Sequence, residues 1–192
     1  MTLPPNIRIF FAIDLPEQIK KQLEDVIALL KKNAKSHGIR WIKPENLHIT
    51  LQFLPQVYSE HLPLLIQHVQ SNIAHFNQIM KLTIGSLQLF PSPYRPRVIV
   101  LSITPQDNLV KLSELIGAGI QNLNYEIEKR PFRAHLTLGR IKYTQDVDLT
   151  FLSQLNIPEI STIEIKEVIL FRSEPQPDGS KYTVLERVTL TK

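Results

Sequence analysis

The strongest constraint on the fold of this chain is an internal repeat. A strand-like run at residues 7–13 leads through a helix-like run to His48-Ile49-Thr50-Leu51. Residues 97–103 lead through a second helix-like run to His135-Leu136-Thr137-Leu138. Ile9 to His48 spans 39 positions and Val98 to His135 spans 37. This matched order and spacing predicts two similar units, about residues 7–54 and 97–141, related by a pseudo-two-fold axis. Such an arrangement would set His48 and His135 facing each other across a central groove.

The surrounding pattern predicts the elements. Phe10, Phe11 and the neighbouring isoleucines favour a strand. Asp14-Leu15-Pro16-Glu17 then reads as a helix start, with Asp14 as cap and Pro16 in the first turn. Ile19, Leu23, Val26, Ile27 and Leu30 recur at helical spacing and form one apolar face. Residues 41–55 contain a strand with His48, Thr50 and Gln52 on one side and Leu47, Ile49, Leu51 and Phe53 on the other. A helix is expected over about 59–76, with strands near 80–90 and 97–103. The proline-rich segment 91–96 between those strands is the expected lobe boundary. Thr104-Pro105 should open a third helix, with Leu109, Leu112, Ile116 and Ile120 inward. Further strands are expected near 125–129 and 134–141, and at 161–172 and 181–190 around the turn Pro177-Asp178-Gly179. The sum is an α+β chain forming a single bilobal domain over residues 1–192.

Composition narrows the chemistry. With 192 residues, 43% of them hydrophobic, the chain can bury a real core. It has no cysteine, which rules out disulfides, thiolate metal sites and cysteine nucleophiles. No basic leader precedes an apolar segment, and no apolar run approaches the roughly 18 residues of a membrane span. A cytoplasmic protein without a membrane partner is the expectation. The formal net charge of +4 and pI near 9.3 favour anionic partners such as RNA or nucleotides.

In each motif the histidine and threonine stand two apart, so on a strand both project from one face. Two facing copies would surround a small anion with two imidazoles and two hydroxyls. One imidazole removes a proton from an attacking water and the other protonates the departing oxygen, as phosphoryl transfer requires. Histidine, with an ordinary pKa near 6.5, serves either role near neutral pH. The hydroxyls of Thr50 and Thr137 suit the non-bridging phosphate oxygens. Lys129, Arg130, Arg133 and Arg140 gather around the second motif. Arg133, two before His135, should share its face and meet phosphate. Arg140 has the opposite parity and points elsewhere unless the strand is bulged. His61, His68 and His75 lie seven apart on a helix, too far for one metal, and read as a solvated or partly buried stripe. His37 reads as a loop residue. A phosphate-binding P-loop, a zinc-protease HExxH and a dinucleotide fingerprint are all missing, so neither metal nor nucleotide cofactor is expected.

At these residues the sequence resembles the two-histidine (2H) phosphoesterases, and among them the RNA 2′,3′-cyclic phosphodiesterases, also called 2′-5′ RNA ligases. The resemblance rests on Arg8-Ile9-Phe10-Phe11-Ala12-Ile13-Asp14-Leu15-Pro16 and on Trp41 with Pro44 to Leu54. It continues in Pro96-Arg97-Val98 and in Arg130-Pro131-Phe132-Arg133-Ala134-His135-Leu136-Thr137-Leu138-Gly139-Arg140. Pro55 stands where glycine is common in that family, and Ala134 where proline is common. The resemblance implies two pseudo-symmetric antiparallel-sheet lobes with helices outside and a central cleft. It also implies His48 as proton donor and His135 as acceptor, roles that the near-equivalent motifs do not themselves distinguish. The implied substrate is RNA with a 2′,3′-cyclic phosphate end, such as tRNA halves, or a cyclic nucleotide. The implied product is a 2′-phosphate, with 2′-5′ ligation as the related reaction, and the enzyme is expected to be a monomer. Rival readings are a related enzyme acting on ADP-ribose cyclic phosphate or 2′-5′ oligoadenylate, and an RNA-binding module without turnover. Retention of both complete His-x-Thr pairs speaks against the last.

Overall fold

The computed structural model describes residues 3–34, 37–74, 76, 79–142 and 148–190. The first strand, β1 (Asn6–Asp14), is apolar on both faces. Ile7, Ile9, Phe11 and Ile13 enter the main core, while Phe10 and Ala12 join Ile169 and Phe171 on the other side. Helix α1 (Glu17–Asn33) buries Ile19, Leu23, Val26, Ile27 and Leu30, the face predicted from their spacing. After β2 (Ile39–Trp41) a 3-10 turn at Pro44–Asn46 introduces β3 (His48–Tyr58). A second 3-10 turn, Ser59–His61, leads into α2 (Leu62–Ile73). Strands β4 (Met80–Phe90) and β5 (Val98–Thr104), helix α3 (Asp107–Gln121) and strand β6 (His135–Ile141) follow. The chain then forms β7 (Ile163–Ile165), β8 (Glu167–Gln176) and β9 (Gly179–Thr189). Helices α2 and α3 touch closely at Gly119, where a Cβ would lie 2.8 Å from the Val69 Cα.

The strands form two antiparallel sheets, in the orders β3-β1-β8-β9 and β2-β6-β5-β4-β7. The order β3-β1-β8-β9 thus recurs as β6-β5-β4-β7, with each histidine strand beside the strand that precedes it in the repeat. The lobes also exchange chain. Strand β2, from the first half, edges the second sheet, and β8 and β9, from the end, complete the first.

Several sequence expectations are corrected. The proline-rich segment 91–96 is no lobe boundary, because β4 and β5 on either side of it pair within one sheet. The strand expected within 41–55 is present as β3, while the Pro44–Asn46 turn separates it from Trp41, which belongs to the other sheet. Residues 125–129 form no strand. The Tyr125 hydroxyl instead accepts the Tyr58 amide at 3.1 Å and bonds His61 Nδ1 at 2.8 Å, so side chains rather than a ladder anchor the segment. Asp14 does not cap α1. It closes β1 and turns to the Lys20 ammonium at 2.9 Å and the Leu15 amide at 2.9 Å. Helix α3 begins after Gln106 without a Thr104 cap. The run 161–172 divides into β7 and β8, which belong to different sheets.

Candidate active site

His48 and His135 open β3 and β6, two strands that come into contact between the sheets. Each ring is oriented by the backbone two residues before it. His48 Nδ1 lies 2.7 Å from the Asn46 carbonyl, and His135 Nδ1 lies 2.8 Å from the Arg133 carbonyl. A carbonyl only accepts, so Nδ1 carries the hydrogen in both rings and Nε2 becomes the working atom. His48 Nε2 stands 2.9 Å from the Thr50 hydroxyl. Thr137 sits two residues after His135 on the same half-buried face of β6.

The threonines are followed by the same irregularity in both strands. Phe11 pairs with Gln52 and Ala12 with Thr50, so Leu51 is an extra residue in β3. Ile99 pairs with Gly139 and Val100 with Thr137, so Leu138 is an extra residue in β6. Such bulges flip the facing of everything beyond them. The Leu51 carbonyl is taken up by the buried Ser113 hydroxyl of α3 at 2.8 Å. Gln52, expected beside His48, turns to α3 and bonds the Ser113 carbonyl and hydroxyl, both at 3.0 Å. Phe53, expected inside, is 40% exposed, with the Arg8 guanidinium carbon 5.4 Å from its ring centre. In β6 both Leu138 and Gly139 are buried, and Arg140 returns to the histidine face. Parity alone points Arg140 away; the bulge reverses that.

The surroundings of the two imidazoles differ. His48 is packed by Phe10, with ring centres 4.7 Å apart, and by the edge of Tyr182 at 5.3 Å. Burial is the main cause that brings its pKa down to about 4. The Arg140 and His135 charges add to this, while the Asn46 carbonyl and Asp14 oppose it. His135 stacks on Phe90 at 4.7 Å, and burial lowers its pKa too, aided by Arg140 and Arg133. Arg133 donates to Gln88 Oε1 at 2.8 Å, with its guanidinium 5.7 Å from the Phe90 ring centre. A concavity of about 590 Å³ opens beside His135, lined among others by Phe90, Ser102, Gln106 and Phe132. The Gln106 amide holds the residue before His135 on both sides. Its oxygen takes the Ala134 amide hydrogen at 2.9 Å, and its nitrogen donates to the Ala134 carbonyl at 3.0 Å. Sequence reasoning missed Gln106, Arg140 and the aromatic neighbours, since all of them depend on pairings distant in sequence.

His61 bonds Tyr125 away from this cleft, His68 is half-buried on α2, and His75 lies outside the described residues. Among the described residues no group of three or more His, Asp or Glu side chains is placed to hold a metal ion. Nor, among them, is any helix long and apolar enough to cross a membrane.

This geometry can be set beside known proteins. The profile of the LigT-like phosphoesterases matches residues 13–100. An RNA 2′,3′-cyclic phosphodiesterase of Methanocaldococcus jannaschii is 30% identical, over 94% of this chain and 99% of the relative. One of Thermotoga maritima is 29% identical, over 93% of each chain. The crystal structure of E. coli LigT complexed with 3′-AMP superposes with a TM-score of 0.77 at 26% identity, covering 97% of this chain and 99% of that one. Sequence, fold and the paired His-x-Thr strands agree, and the chain belongs to the LigT-like phosphoesterase family of the two-histidine superfamily.

Proposed function

We propose that this chain is a phosphodiesterase that opens the 2′,3′-cyclic phosphate at RNA ends to a 2′-phosphate. The observation that carries the reading is the pair of imidazoles at one cleft. Both are fixed through Nδ1, so that each has only Nε2 to offer a reacting phosphate. The relatives named above, whose names state this activity, support the substrate class.

In the proposed reaction His135 Nε2 takes a proton from water as the water oxygen attacks phosphorus. The bond from phosphorus to O3′ breaks, and His48 Nε2–H delivers its proton to O3′. His135 suits the base, being neutral near pH 7 and having no hydrogen-bond partner for Nε2 among the described residues. His48 must be protonated to act as the acid. The bound phosphate anion favours its charged form, as Asp14 does, and works against the burial that lowers its pKa. Thr50 and Thr137 donate to the non-bridging oxygens, and Arg133 and Arg140 offset the charge building there. A 5′-hydroxyl in place of water gives a 2′-5′ linkage through the same steps. The reading takes the enzyme as a cytoplasmic monomer, and all the named groups come from one chain. It requires no metal or nucleotide cofactor.

The test is to incubate the protein with a 2′,3′-cyclic nucleotide and a cyclic-ended oligoribonucleotide in the presence of EDTA. Hydrolysis of both to 2′-phosphates is expected. Formation of a 3′-phosphate, or activity that appears only when a divalent metal is restored, would overturn the mechanism.

A further inference from the structure

The ladder between β5 and β6 ends at the pair Ser102 and His135. One position beyond it, the side chain of Gln106 bridges Ile103 and Ala134. Its Nε2 donates to the Ile103 carbonyl at 2.6 Å and to the Ala134 carbonyl at 3.0 Å, and its Oε1 accepts the Ala134 amide hydrogen at 2.9 Å. A carboxamide carries the donor and acceptor of a peptide group, so Gln106 supplies a rung of the sheet that the backbone does not. Segment 131–134 makes no backbone-to-backbone hydrogen bond among the described residues. Ala134 is nonetheless only 2% exposed, where an unpaired amide is costly.

The amide that Gln106 grips is half of the group that orients the ring. Arg133 C=O and Ala134 N–H belong to one planar trans peptide, whose two ends point in opposite directions. Gln106 Oε1 holds the N–H end, and His135 Nδ1 donates to the C=O end at 2.8 Å. Gln106 is itself fixed at the start of α3, where its carbonyl accepts the Val110 amide at 2.9 Å and Leu109 and Leu112 are fully buried. The first half of the repeat is built otherwise. There the carbonyl that orients His48 is that of Asn46, and the amide of the same peptide, Leu47 N–H, is held by the Pro44 carbonyl of the 3-10 turn at 3.1 Å. A local backbone bond thus does beside His48 what a helix-borne side chain does beside His135.

We propose that Gln106 is the positioning residue of His135: by holding the Ala134 N–H it aims the Arg133 carbonyl at Nδ1 and leaves Nε2 without a hydrogen, ready to take a proton. The inference rests on the cyclic-phosphodiesterase reading for its effect on turnover, and adds to it a residue outside both motifs. Gln106 acts through the peptide that joins Arg133 to Ala134, not on the substrate. Without its grip that peptide is free to turn, and the ring loses the bond that selects its tautomer. The Nε2–H tautomer then appears, and in that form Nε2 cannot act as the base.

Nitrogen-15 NMR of the His135 ring in the substrate-free protein reads the tautomer, and kcat and KM with a 2′,3′-cyclic nucleotide read its consequence. The wild-type ring should be the Nδ1–H tautomer. Gln106→Leu, close in size but with no hydrogen bond to give, should admit the Nε2–H form and lower kcat about tenfold or more, with KM within about twofold of the wild type. The Arg133 carbonyl raises the His135 pKa, while the Arg140 and Arg133 charges, which lower it, stay in place. Loss of the carbonyl should therefore move the acid limb of the pH–rate profile to lower pH and leave the alkaline limb, set by His48, where it is. Gln106→Asn, one methylene short of Ala134, should show the same changes in milder form, and serves alone if Gln106→Leu does not fold. An unchanged tautomer and acid limb in the folded variant, or a kcat indistinguishable from the wild type, would overturn the proposal. A wild type that hydrolyses no cyclic nucleotide, but whose His135 tautomer depends on Gln106, would instead overturn the cyclic-phosphodiesterase reading and leave the positioning role standing.

Discussion

His48 and His135 hold equivalent places in the two halves of the repeat, yet one half encloses its imidazole and the other displays it. In the first sheet Phe10 and Tyr182 pack against the ring, and Thr50 occupies its Nε2. In the second, Phe90 stacks on the ring and the adjoining concavity leaves it open. Fold symmetry therefore supplies two equal histidine positions, and packing alone makes them unequal. A reaction that needs one acid and one base requires that inequality.

The sharpest way to break the comparison is to remove each imidazole in turn. His48→Ala and His135→Ala should each lower kcat by roughly 10²–10⁴-fold. The remaining activity of His48→Ala should lack the alkaline limb of the pH–rate profile, and that of His135→Ala the acid limb. Steady-state kinetics from pH 4 to 9 decide this, and exchanged limbs would exchange the roles.

Enclosure should also appear in stability. The native state holds His48 at about 4, against about 6.5 in the unfolded chain, so folding favours its neutral form. The contribution is complete above pH 6.5 and is lost as pH falls from 6.5 towards 4, to about 3 kcal/mol at most. Urea midpoints at pH 7 and pH 4.5 should show a smaller acid loss in His48→Gln than in the wild type. Equal losses would mean that the enclosure does not keep protons off His48.

Thr50→Val and Thr137→Val should each cost about one to two decades in rate, the worth of one hydrogen bond to a charged oxygen. Only Thr50→Val should also move the pH profile, because only Thr50 touches a histidine nitrogen. Arg140→Gln removes a cation from the reacting phosphate and should lower kcat at least as much as the threonine variants do. Arg140 lowers both imidazoles, so its loss should shift both limbs of the kcat/KM profile to higher pH. A shift of one limb alone would place the guanidinium nearer to one lobe.

The sequence makes one part of this site legible and hides another. His48, Thr50, His135 and Thr137 can be read because a two-residue period on a strand is local and the repeat states it twice. Arg140, Gln52 and Phe53 cannot, because one inserted residue after each threonine reverses the parity of the positions beyond it. The first bulge is settled by Ser113, 62 positions away in the chain. Helix α1 is legible from its apolar spacing, whereas residues 125–129 carry strand-like residues with no strand to pair with. Composition misplaces the lobe boundary at 91–96 because it marks turns and says nothing about sheet membership. The dipeptide Thr104-Pro105 likewise carries a helix-start signature, while Gln106 spends its side chain on Ala134.

The exchange of strands between the sheets bears on how the molecule is made. Phe10 pairs with Phe53 on one side and with Phe171 on the other. During synthesis the first of those partners emerges early and the second only after nearly the whole second sheet has been translated. Until then β1 has an open edge lined with Ile9, Phe10 and Phe11, the kind of edge that recruits stray strands. A ribosome stalled before β8 should therefore carry an aggregation-prone nascent chain rather than a finished lobe. Protection of β1 from proteolysis should arrive late and in one step, together with the last two strands.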